Sequence, residues 1–140
     1  MSEAIAVELK NRLSEIERLA HVVDNFGRHH QIGAHILYNM KLALDEILTN
    51  IISYAYDDAG EHHIVTRLSL EQGKWTVEVE DDGRPFNPLN APVADTEQSL
   101  EERRVGGLGI HLVRKLINEL EYRRQNDRNI LVMRLKVKGA

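Results

Sequence analysis

The sequence predicts an α+β fold, a two-layer sandwich with a mostly antiparallel, mixed sheet and helices on one face. Three observations predict it. Two runs of alternating apolar and polar residues meet around Gly73. Two long stretches with apolar residues spaced by three and four precede them. One more helical stretch and a second pair of strands close the chain, so strands and helices come in separate runs.

Each element has a local reason. Residues 4–10 read as a short strand. From Arg12 to about Phe26, Leu13, Ile16, Leu19, Ala20 and Val23 share one helix face, and Gly27 is the expected stop. A longer helix runs from Gly33 to about Tyr56, with a stripe that includes Met40, Leu44, Ile47, Leu48 and Ile51. Asp57-Asp58-Ala59-Gly60 punctuates it. Residues 63–71 and 75–80 alternate around the turn Gln72-Gly73-Lys74, which reads as an antiparallel hairpin. Residues 83–105 carry neither period, and Pro85, Pro88 and Pro92, the chain's three prolines, all lie there. So long a segment without periodicity is expected to be a functional lid or disordered. Ile110, Leu112, Val113, Leu116, Ile117 and Leu120 then predict a helix. Strands over 121–125 and 129–138 follow, with Asn126-Asp127 in their turn.

Composition narrows the function. A chain of 140 residues with 42% hydrophobic and 29% charged residues is expected to be one globular domain. It has no cysteine, which excludes disulfides, thiolate metal sites and cysteine nucleophiles. Its net charge of −4 makes it a poor candidate for general nucleic-acid binding. No 18-residue apolar run and no signal-peptide pattern are present, so the expected compartment is the cytoplasm, away from membranes. His29-His30 and His62-His63 are adjacent pairs, which chelate poorly on a strand, so no structural metal is expected.

Three polar clusters carry chemistry. Glu46 and Asn50 are four apart, hence one turn apart on one helix face. A carboxylate there can polarise a hydroxyl, and an amide oxygen suits Mg²⁺; the plainer reading is a solvated helix edge. Asp81-Asp82-Gly83 ends the strand led by Trp75. An Asp at a strand end can accept a hydrogen bond from a base amine, and Gly83 would let the backbone come close to a ligand. A tight hairpin is the alternative, which Arg84-Pro85 disfavours. Gly106-Gly107-Leu108-Gly109 opens a helix, where backbone N–H groups and the helix dipole favour a phosphate. A flexible hinge is the plainer alternative. It is neither a Walker A loop nor a dinucleotide fingerprint.

In this order, flanking a lid, the clusters resemble the GHKL, or Bergerat-fold, ATP-binding domains. The chain looks most like the small bacterial anti-sigma factors that are serine-protein kinases, of the RsbW and SpoIIAB type. Residues 43–56, ALDEILTNIISYAY, look like that family's N box. Asp81 to Pro88 looks like its first glycine box, and Gly106 to Ile110 like the second. The resemblance implies a catalytic base at Glu46 and a Mg²⁺ ligand at Asn50. It implies an adenine contact at Asp81, nucleotide contacts at Gly83, Gly107, Leu108 and Gly109, and a lid over about 84–106. Arg103 or Arg104 would reach a phosphate or an acidic partner, with Arg104 the chosen nucleotide contact; a solvated charge run is the alternative. The implied reaction moves the γ-phosphoryl of ATP to a serine of a STAS-type antagonist. The implied second role, usually as a homodimer, is sequestration of an RNA polymerase sigma factor. Three positions depart from the pattern: Pro85 replaces a glycine, Tyr54 stands where relatives often have His, and Asn129-Ile130-Leu131-Val132 lacks a Gly-Thr pair. The rival reading is a partner-switch protein that binds nucleotide without catalysis. Sensor histidine kinase, gyrase, chaperone and eukaryotic-type kinase readings lack their accompanying segments or motifs.

Overall fold

The computed structural model describes residues 3–87 and 107–137. The chain runs β1 (Glu3–Lys10), α1 (Ser14–His29), α2 (Ala34–Tyr54), β2 (His63–Glu71), β3 (Lys74–Asp81), α3 (Gly107–Leu116), β4 (Glu119–Gln125) and β5 (Arg128–Lys136). The five strands form one sheet in the order β1-β2-β3-β5-β4. All four pairings are antiparallel, so the sheet is not mixed as expected. Beyond 87, the expected lid lies outside the described residues up to Gly106.

Both hairpins close through two-residue turns with both residues at positive φ: Gln72 and Gly73 (52° and 77°), then Asn126 and Asp127 (53° and 61°). Such turns match the right-handed twist of the strands they join. They also set the register, Glu71 opposite Lys74 and Gln125 opposite Arg128.

Two helix ends differ from expectation. Gly27 does not stop α1; it is buried inside it, and a Cβ there would lie 2.8 Å from Leu37 Cδ1 on α2. The helix ends two residues later, at His29. Ile32 N–H donates to Gly27 O and Gln31 N–H to Arg28 O, with Gln31 at φ 56°. That is a Schellman termination with Gln31 in the left-handed position. The last helix stops at Leu116, short of the expected Leu120, which pairs with Met133 in the sheet. Asn118 intervenes, its Oδ1 accepting from Lys136 N–H at 2.9 Å.

The helices cover the sheet face that carries Trp75, Val77, Val79, Leu131, Met133 and Leu135, all buried. Phe26 of α1 stacks on Trp75 with ring centroids 5.9 Å apart. Each fully buried large side chain of this kind contributes about 1.5–3 kcal/mol. The opposite face is laced by ion pairs, among them Arg67 with Glu80 (3.0 Å) and Lys74 with Glu119 (2.9 Å). Exposed pairs of this kind stabilise little, about 0–1 kcal/mol each. They keep that face wet and leave the ligand chemistry to the helix side.

Candidate functional site

A cleft of about 310 Å³ opens between α2, the sheet and the loop after β3. Its walls are mainly apolar: Ile47 and Ile51 from α2, Val79 from β3, Ile110 from α3 and Leu131 from β5. Tyr54, Phe86 and Tyr122 add aromatic surface. Only a few polar groups converge on it, chiefly Asn50, Asp81 and Asn129. An apolar cleft with a small polar set is the usual make-up of a small-molecule site.

Asp81 ends β3 and is 3% exposed. Its Oδ1 accepts from Gly83 N–H at 2.8 Å and from Asn129 Nδ2 at 3.1 Å. Burial pushes its carboxyl above the ordinary range, and these two donors oppose that push. Asn129 faces Asp81 across the β3–β5 ladder. A carboxylate so placed in apolar surroundings is a strong acceptor for an amine donor.

Asn50 comes from α2. Its amide lines the cleft, and its buried Nδ2 has no hydrogen-bond partner among the described residues. A buried amide left unmade costs about 1–3 kcal/mol, so it points to an absent partner. A half-turn about its last bond presents the amide oxygen instead, a donor suited to Mg²⁺. Glu46 lies one turn earlier on α2. It is half-buried, is not among the residues lining the cleft, and has its carboxyl raised by burial and then by neighbouring Asp45.

Gly83 has a packing role that its sequence reading did not include. It is buried against the end of α2, where a Cβ would sit 2.6 Å from Ala55 Cβ and 2.7 Å from Ala55 O. Arg84 N–H donates to that same carbonyl at 3.0 Å. The glycine therefore permits a close helix-to-loop contact with Ala55, and it is not itself among the residues that line the cleft. Gly107, Leu108 and Gly109 form the first turn of α3, which brings Ile110 to the cleft. Arg103, Arg104 and Gly106 lie outside the described residues.

A second polar cluster lies beside the end of β3. His62 hydrogen-bonds Asp58 through Nε2 at 2.8 Å and faces Asp82 through Nδ1 at 3.3 Å. Its ring stacks on Tyr56, centroids 4.1 Å apart. The bond to Asp58 chiefly raises the His62 pKa, and Asp82 adds to it.

Sequence reasoning placed Asn129 only as the first residue of the last strand and gave it no role in the site. In the structure it is 6% exposed and joins β3, the following loop and β4. The local signal was weak. A polar residue opening the apolar run Ile130–Met133 has no evident partner until the register sets it opposite Asp81.

Residues 9–135 match the family described as the histidine kinase-like ATPase domain. The chain belongs to this family. Within it, the ATPase domain is 29% identical over 103 residues to the serine/threonine-protein kinase BtrW of Bordetella bronchiseptica, covering 72% of this chain and 71% of BtrW. It is 30% identical over 99 residues to the serine-protein kinase RsbW of Bacillus mycoides, covering 67% of this chain. That match spans 61% of RsbW, less than two thirds of its length. Two solved structures share the fold. A Mycobacterium tuberculosis chain with RsbU and RsbW domains superposes with TM-score 0.67 at 13% identity, over 96% of this chain and 32% of that one. The SiaB–SiaC complex of Pseudomonas aeruginosa gives TM-score 0.58 at 16% identity, over 95% of this chain and 89% of that one. No helix among the described residues is long and apolar enough to cross a membrane.

Proposed function

We propose that this ATPase domain is an ATP-dependent protein-serine kinase that phosphorylates a STAS-type antagonist and, as a homodimer in the cytoplasm, sequesters a sigma factor. The observation that carries the nucleotide reading is Asp81, a buried carboxylate at a strand end in an apolar cleft, with Asn50 lining the same cleft and its Nδ2 without a partner among the described residues. The relatives named serine-protein kinases support the phosphotransfer reading.

Asp81 would accept from the amine of adenine while the apolar walls and aromatic rings take the base. Asn50 would hold Mg²⁺, which offsets charge on the β and γ phosphates. Gly107, Leu108 and Gly109, at the N-terminus of α3, would offer backbone N–H groups to phosphate, with Arg104 from the lid over 84–106 adding positive charge. Glu46 would take the proton of the partner's serine as its oxygen bonds to the γ phosphorus and the bond to the ADP oxygen breaks.

One observation favours the second reading, a nucleotide-binding switch without catalysis: Glu46 is not among the residues that line the cleft. Transfer of ³²P from ATP to a serine of a STAS-type partner separates the two. For the nucleotide site itself, thermal unfolding is measured with and without Mg-ATP in the wild type and in Asp81→Asn. A ligand at 100 times its dissociation constant stabilises by about 2.7 kcal/mol, which raises the midpoint by several degrees. The shift is expected in the wild type and lost in Asp81→Asn. No shift at millimolar Mg-ATP would refute the nucleotide reading.

A further inference from the structure

We propose that Asn129 is a positioning residue that aims Asp81 at the 6-amino group of the base and so sets the preference for adenine over purines lacking that amine. The inference rests on the reading that Asp81 takes the base amine.

Asn129 uses all four hydrogen-bonding positions of its amide. Nδ2 donates to Asp81 Oδ1 at 3.1 Å and to Arg84 O at 2.8 Å. Oδ1 accepts from Phe86 N–H at 3.3 Å and from Tyr122 OH at 2.5 Å. This set determines which way the amide points. Turned over, it would bring its oxygen against the Asp81 carboxylate and its NH₂ against the Phe86 N–H and the Tyr122 hydroxyl.

The arrangement has two consequences. The amide donor falls on Oδ1, where Gly83 N–H also bonds, and no described residue donates to Oδ2. One carboxylate oxygen is thus anchored and the other is kept for a ligand. The same amide holds the backbone at Arg84 and Phe86, so the carboxylate and the aromatic edge of the cleft move as one piece. An amide with all four positions bonded is held stiffly, and an acceptor held in place distinguishes a base with an amine from one without.

The test compares the dissociation constants of ATP and of purine riboside 5′-triphosphate, which carries hydrogen in place of the 6-amine. Calorimetry on the wild type is expected to favour ATP by about tenfold or more. In Asn129→Leu the ratio is expected to fall to within about threefold of one, with the purine nucleotide the less affected. A purely structural role would weaken both nucleotides equally and leave the ratio unchanged, which overturns the proposal. A wild type that binds both equally would instead overturn the assignment of Asp81, and the inference with it. If Asn129→Leu does not fold, Tyr122→Phe serves, since it deletes one of the four bonds and keeps the ring. A reduced ratio there supports the network, and an unchanged one overturns it.

Discussion

Replacing Gly83 by Ala tests the packing of the loop after β3 on the end of α2 directly. The added Cβ would lie 2.6 Å from Ala55 Cβ, 2.7 Å from Ala55 O and 2.9 Å from Asp81 Oδ1. Carbon atoms in contact sit about 3.5–4.0 Å apart, so the methyl needs roughly 1 Å more than the site has. Ala55 O is backbone at the end of α2 and cannot swing away as a side-chain tip would. Overpacking of this kind costs about 1–3 kcal/mol. Moving the loop also stretches the hydrogen bond from Arg84 N–H to Ala55 O, worth about 0.5–1.5 kcal/mol. The expected loss is therefore about 2–4 kcal/mol, or roughly 6–15 °C in the unfolding midpoint for a domain of this size. Thermal unfolding without nucleotide reads it. A midpoint within about 2 °C of wild type would refute the reasoning. If that variant instead kept its stability and lost Mg-ATP affinity, the glycine would serve ligand approach after all.

Gly27→Ala asks the same question inside α1. The new methyl's nearest neighbour is the Leu37 side-chain tip, at 2.8 Å, which can shift, and Ala gains about 1 kcal/mol of helix propensity over Gly. The expected net loss is about 1 kcal/mol, read as a lower urea midpoint at unchanged slope; a gain would show that Leu37 yields and that helix propensity outweighs the contact. His62→Gln probes the polar cluster beside the end of β3. The His62 pKa is raised above 6.5, so its stabilisation is full below that value and is lost as pH rises through the folded pKa. Asp58 is lowered below 3.8, so its share is present above that value and is lost as pH falls through its folded pKa. The variant's deficit in unfolding midpoint should be largest from about pH 4 to 6.5 and shrink toward pH 8; a deficit constant over that range would exclude the charge coupling. Glu46→Ala is expected to keep ATP binding and lose phosphotransfer, whereas Asn50→Ala loses Mg²⁺-dependent binding. Equal loss of ATP affinity in both, by calorimetry, would remove that division of roles.

Much of the architecture was legible because its signals are local. Alternation in Trp75, Val77 and Val79 marked a strand with one buried face, and all three are buried. Spacing of three and four marked both long helices. Where expectation and structure part, a local cue was answered by a distant partner. Gly27 resembled a stop, but its place is set by Leu37. Leu120 continued a helical stripe, but it pairs with Met133 once Asn118 has turned the chain. Glu46 and Asn50 share a helix face by arithmetic, yet Asn50 and not Glu46 lines the cleft.

The sequence by itself determined the elements, their order and the residue types that make nucleotide chemistry available. Those properties depend on neighbours within a turn or two, and hydrophobic period and turn chemistry report them faithfully. Tertiary structure alone decided which of those residues act together. Asp81 and Asn129, 48 positions apart, meet through strand register, and Gly83 is required by the approach of a helix end. Register and close approach are settled when the sheet and helices pack, because each depends on atoms that the local sequence does not contain.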